Sequence, residues 1–169
     1  MTHNDILRRL RFALDLSDAR VRDLTQMGGV TVDEAGIRAR MLPEEDPETV
    51  YCDADTLAAF LDGLILDRRG PRDPSKPAPP EANLDNNQIL KKLRIALNLR
   101  EAAMLRILDK GGHTLSKHEL TALFRKPEHK HYREAGGQLL RRFLKGLTLE
   151  LRPDVAEPDD EPSDDEPSE

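Results

Sequence analysis

Seven Lys and Arg and two His crowd the stretch LFRKPEHKHYREAGGQLLRRFLKGL, residues 123–147, in a chain whose net charge is −6. Cations at this density are the electrostatic footprint of a polyanion contact. Just upstream, Lys117, Thr121 and Arg125 recur at i, i+4 and i+8, with His118 beside them. That spacing puts side chains on one face of a helix, and Lys117 and Arg125 are expected to face solvent. Lys126, Lys130 and Arg133 follow in RKPEHKHYR, which reads as a loop of cations with one tyrosine, suited to phosphate oxygens. These seven residues, Lys117, His118, Thr121, Arg125, Lys126, Lys130 and Arg133, are the candidate nucleic-acid contacts.

Other chemistries find less support. His113, His118, His129 and His131 fall within 19 residues, and imidazole is the commonest metal ligand. But His129 and His131 flank Lys130 in a cation-rich loop, and no thiolate or carboxylate joins them at a familiar ligand spacing. Gly28-Gly29 and Gly111-Gly112 follow no strand and fit neither GxGxxG nor a Walker pattern, so they read as helix caps rather than a phosphate cradle. There is no nucleophile elbow, no HExxH and no carboxylate pair in an apolar setting. A single cysteine, Cys52, excludes an intrachain disulfide and a multi-thiolate zinc site. No catalytic residue, metal or cofactor is assigned, and the chain is read as not an enzyme.

The elements that must position the cations come twice. NDILRRLRFALDLSDA, residues 4–19, matches NQILKKLRIALNLREA, residues 87–102, at an offset of 83. The offset persists through MGGVT against KGGHT and LAAFLDGL against LRRFLKGL, and roughly 20 of about 67 aligned positions are identical. Charged residues are 34% of the 169-residue chain and aromatics only 4%, which favours amphipathic helices over sheets.

In the second repeat Ile89, Leu90, Leu93 and Leu97 mark a first helix, and Ala103, Leu105, Ile107 and Leu108 a second that stops at Gly111-Gly112. A capping box, SKHE at 116–119, opens a third over Leu120, Leu123 and Phe124, and Leu139, Leu140, Phe143, Leu144 and Leu147 mark a fourth. The first repeat follows the same plan with Ile6, Leu10 and Leu14, then Ile37 and Met41, then Leu57, Phe60, Leu61 and Leu64 behind an Asp53 cap. The predicted fold is all-α, two homologous four-helix units in tandem. The order of the second and third helices is that of a helix-turn-helix, although GGHTLS exceeds the usual turn.

The units are placed at residues 1–70 and 87–152. A Pro-rich linker, residues 71–86, is expected to be extended, and an acidic tail, residues 153–169, disordered. The small core of each unit leaves docking of the two open. The N-terminus, MTHNDILRRLRFALDL, has no apolar signal region, and no apolar run approaches the length of a membrane span, so a cytoplasmic protein with no membrane partner is expected.

The tandem NxILxxLRxAL openings, the GGxT turns and ALFRKPEHKHYREAGGQLLRRFLKGL resemble the YehS-like family of uncharacterised bacterial proteins. The resemblance covers residues 4–70 and 87–148 and implies two copies of a small domain of unknown function, with no catalytic residues to carry over. One departure stands out: Ala135 occupies the place of a cysteine in that pattern, and Cys52 holds the equivalent place in the first repeat.

The repeats share a core but divide the charge. Residues 4–70 hold 9 Lys/Arg against 14 Asp/Glu, and residues 87–152 hold 15 against 6. The expected function is therefore a non-catalytic nucleic-acid-binding or regulatory protein, with DNA or RNA as partner through the second repeat. The other reading is a protein-interaction adaptor whose basic face meets an acidic protein partner. The tail, with 9 acidic and no basic residues, is expected to contact the second repeat intramolecularly.

Overall fold

A computed structural model describes residues 1–77 and 83–155. Eight helices, and no strand among the described residues, follow in order: α1 His3–Ala13, α2 Asp18–Met27, α3 Glu34–Arg40, α4 Ala54–Arg69, α5 Asn86–Ala96, α6 Glu101–Lys110, α7 Lys117–Leu123 and α8 Gly137–Leu151. Every helix boundary of the first four recurs 83 residues later, except that α8 stops one residue short. Of the tail expected to be disordered, residues 153–169, and the linker expected to be extended, residues 71–86, residues 156–169 and 78–82 lie outside the described residues.

Local chemistry sets the boundaries. Oxygens of Thr2, Ser17, Asp33, Asp53, Asp85 and Ser116 accept N–H groups in the first turn of the helix each precedes. Asp15 and Asn98 adopt the left-handed conformation at equivalent links, φ 54° and 52°, one that short polar side chains tolerate.

Gly111 and Gly112 divide two tasks. Gly112 takes the left-handed turn at φ 87°, as a helix stop requires. Gly111 keeps an ordinary conformation, and a Cβ there would lie 1.8 Å from the Arg142 carbonyl oxygen of α8. Capping is therefore half of the reason for the pair, and close approach of α6 to α8 is the other half.

Within the repeats, α2 packs on α4 and α6 on α8. Between them, α4 packs on α5 and α1 on α8, so the two repeats dock. Exchanging the repeats maps one of these contacts onto the other, the pattern of a pseudo-twofold arrangement. One hydrophobic cluster runs through both repeats, with Phe60 and Phe143 fully buried. Polar contacts reinforce the seam: Lys92 pairs with Asp62, and the Arg152 guanidinium donates to the Phe12 carbonyl at 2.8 Å while lying 4.6 Å from the centre of its ring.

Candidate nucleic-acid interface

Asn87, at the start of α5, fixes the segment that carries the cations. Its side-chain amide donates to the carbonyls of Leu123 (2.9 Å) and Arg133 (2.8 Å), and its Oδ1 accepts the Ala135 N–H at 2.8 Å. The side chain is buried, so the loop is bolted to the core at both ends. Asn4 repeats the arrangement in the first repeat, with Arg40, Val50 and Cys52 as partners. A shared Asn in NDIL and NQIL was the signal for this clamp, which sequence reasoning missed.

Between the clamped ends the chain makes two successive turns, with His129 N–H donating to the Lys126 carbonyl and Tyr132 N–H to the His129 carbonyl, both at 2.9 Å. In the first repeat Asp46 N–H to Pro43 and Thr49 N–H to Asp46 reproduce both bonds at 3.0 Å. The backbone is common, but the charge is inverted. Arg125, Lys126, Lys130 and two His stand where the first repeat has Leu42, Pro43 and Pro47, then Asp46 and Glu48 opposite the His pair, with Glu44 and Glu45 between.

The seven candidate residues meet on α7 and this loop, but they are not equivalent. The capping box is real: Ser116 Oγ accepts the Glu119 N–H and Glu119 accepts the Ser116 N–H, each at 3.1 Å. Lys117, His118 and Thr121 are exposed on α7, and the Thr121 hydroxyl donates back to the Lys117 carbonyl. Lys117 lies 3.8 Å from Glu101 with its side chain 79% exposed, a pairing worth little in water.

The helical stripe does not reach Arg125. α7 ends at Leu123, so Arg125 lies beyond the helix and is only half-exposed rather than fully solvent-facing. Phe124, expected in the core, is also half-buried, and the Arg94 guanidinium lies 4.6 Å from the centre of its ring.

Arg133 is engaged with Glu119 at 2.9 Å. Hydrogen bonds from Ser116, backbone first, and then from Arg133 hold the Glu119 carboxyl below its ordinary range. Arg125, Lys126 and Lys130 have no carboxylate partner among the described residues.

Some cations elsewhere in the repeat are engaged internally. Arg106 and Lys110, one turn apart on α6, both grip Glu150 on α8, at 2.7 and 2.5 Å, and their hydrogen bonds pull its carboxyl down to about 2.

The rings of His129 and His131 lie tilted at 42° with centres 5.6 Å apart, and His129 Nδ1 accepts the His131 backbone N–H at 3.0 Å. No group of His, Cys, Asp or Glu among the described residues is arranged to hold a metal. Cys52 is fully buried, and burial pushes its thiol up to about 11, so it is an inert packing group. A cavity of about 400 Å³ lies at the repeat seam beside Leu14, Arg68 and Leu151, at the other end of α8 from the cationic loop. No described helix is long and apolar enough to cross a membrane.

Comparison with known proteins matches this doubled architecture. A family model described as "Protein of unknown function (DUF1456)" fits residues 3–70 and again residues 86–152. A relative from Escherichia coli (strain K12), "Uncharacterized protein YehS", is 39% identical over 148 residues, 87% of this chain and 94% of the relative. No solved structure gives a significant match. The doubled match and the extent of that similarity place the chain in the DUF1456 family, of which it carries two copies.

Proposed function

We propose that this protein binds nucleic acid without catalysis, through the exposed face of α7 and the loop that follows it. One observation carries the reading. On a backbone shared by both repeats, only the second presents Arg125, Lys126 and Lys130 with no carboxylate partner among the described residues. Charges held on a clamped loop lose little conformational freedom on meeting a phosphate backbone, and they release condensed counterions from it. The clustered cations suit phosphate oxygens, contacts that fix register on a nucleic acid without carrying sequence information.

Polarisation of fluorescein-labelled duplex DNA, single-stranded DNA and RNA over a salt series tests this. Binding should weaken linearly on a log–log salt plot, with a slope for duplex of about −3 to −5 if a handful of phosphates is neutralised. Lys126→Glu with Lys130→Glu should lower low-salt affinity about tenfold or more and flatten the slope by about 2, with helical circular dichroism unchanged. Failure of all three probes to bind at low salt, or indifference to the charge reversal, would sink the reading. The latter outcome, with capture of an acidic protein through the same loop, would favour the adaptor.

A further inference from the structure

We propose that the 125–133 loop takes single-stranded nucleic acid, stacking two splayed bases on the imidazoles of His129 and His131 while Arg125, Lys126 and Lys130 hold the neighbouring phosphates. This rests on the nucleic-acid reading above and adds two things to it: the strandedness of the ligand and a role for two rings.

The equivalent loops of the two repeats differ in a coordinated way. On one backbone, the second repeat has cations at 125, 126 and 130 and rings at 129, 131 and 132. The first has Leu42, Pro43 and Pro47, then Asp46, Glu48 and Thr49. Cations and rings are present together in one loop and absent together from those positions of the other. Phe, Trp and Tyr make up only 4% of the chain, so three rings within residues 129–132 are not a by-product of composition. A surface for phosphates alone needs the cations. Rings add a grip on flat groups, and every base has a face to offer.

The geometry of the pair decides how a base can be held. Both imidazoles are exposed, whereas Tyr132 is half-buried. The ring centres are 5.6 Å apart and the planes are tilted by 42°. A base clasped between two rings needs about 7 Å, twice the spacing of stacked bases. The pair is therefore too close to clasp a base and too tilted to form one flat surface. Each ring can cover a base only on its outer side, and two bases so placed cannot stack on each other. A duplex keeps its bases stacked and shows only their edges. A single strand can splay them onto aromatic rings, histidine included.

The platform is also ordered in advance. His129 Nδ1 accepts the His131 backbone N–H, which fixes the first ring against its turn. The two turns lie between ends held by Asn87. Lys130 stands between the two His, with Arg125 and Lys126 just ahead, and none of the three has a carboxylate partner among the described residues. Groups already in place lose little freedom on binding.

Four fluorescein-labelled probes with equal numbers of phosphates test this in the full chain: oligo(dT), oligo(U), a blunt duplex, and an abasic strand of sugars and phosphates without bases. At one low salt concentration both base-bearing strands should bind about five- to thirtyfold tighter than the abasic strand, the low end of base–aromatic stacking for one or two bases. The duplex, despite its denser phosphates, should bind more weakly than either. His129→Ala with His131→Ala should erase the advantage over the abasic strand. His129→Phe with His131→Phe should restore it. His129→Lys with His131→Lys should not, although it tightens binding to all four probes. Helical circular dichroism should be the same throughout, because both side chains are exposed. An abasic strand or a duplex bound as tightly as the base-bearing strands would overturn the proposal while leaving the nucleic-acid reading in place. So would an advantage that the Lys pair restores and the Phe pair does not, which makes the histidines phosphate contacts. Binding of none of the four probes would overturn both.

Discussion

Asn87 shows how much of this surface depends on a residue with no surface of its own. Its three hydrogen bonds reach both ends of the segment that bears the cations, and it is buried. Asn87→Ala removes one partner from each of three backbone groups, and a buried unpaired group costs about 1–3 kcal/mol. A net loss of about 2–4 kcal/mol in urea denaturation is expected, the total falling short of three full penalties because water can reach the segment's exposed side. Asn87→Asp, which keeps the acceptor for Ala135 N–H and loses both donors, should also destabilise. A loss under about 1 kcal/mol for the alanine variant would mean that water replaces the amide. The lone cations differ in kind: Lys126→Ala or Lys130→Ala should leave stability within about 0.5 kcal/mol, as exposed side chains without partners do.

The eight helices were legible because their apolar residues recur at helical spacing and their caps are local. Asp53 and Ser116 each satisfy an N–H three residues on, which periodicity and residue type suffice to anticipate. The helix contacts were less legible. A glycine beside a glycine suggests a cap, and nothing local says that Gly111 and Gly146 let two backbones touch. A Cβ on Gly146 would lie 1.8 Å from the Ile107 carbonyl oxygen, and one on Gly63 would lie 1.7 Å from that of Leu24. The same limit applies to Arg125, which a helical stripe includes and the end of α7 excludes. Gly146→Ala gives a test whose sign is informative. In an isolated helix alanine is favoured over glycine by about 1 kcal/mol. Here the methyl must push α6 from α8, so a loss of about 2–3 kcal/mol is expected, overpacking outweighing propensity. Gly137→Ala, at the open first position of α8 with nothing near its Cβ, should be neutral or stabilise by up to about 1 kcal/mol. Equal effects from the two substitutions would mean that the α6–α8 contact is looser than described.

Docking was hidden at the sequence level because either repeat alone offers a plausible core, yet the apolar stripes are wider than one partner needs. Ile6-Leu7, Ile89-Leu90, Phe60-Leu61 and Phe143-Leu144 are adjacent pairs in which both members are buried. Neighbours in a helix point about 100° apart, so one member of such a pair can face its own repeat while the other faces across the seam. α3 and α7, which lie outside the seam, bury far fewer side chains: Ile37 in one, Leu120 and Leu123 in the other. The acidic excess of the first repeat and the basic excess of the second also attract each other, although exposed charges add little once salt screens them. A shared core carries a thermodynamic consequence. Phe143→Ala should cost about 3–5 kcal/mol through lost burial and the cavity left behind. If the repeats were independent, that loss would fall on the second alone, and hydrogen exchange of Leu57, Phe60 and Leu61 amides in α4 would stay as slow as before. With α4 on α5 and α1 on α8, unfolding the second repeat strips the apolar faces of α1 and α4 of their cover. The amides of both repeats should therefore exchange faster together, in a single unfolding transition with an undiminished denaturant slope. Protection retained in α4 while α8 exchanges freely would show two separable units that happen to touch.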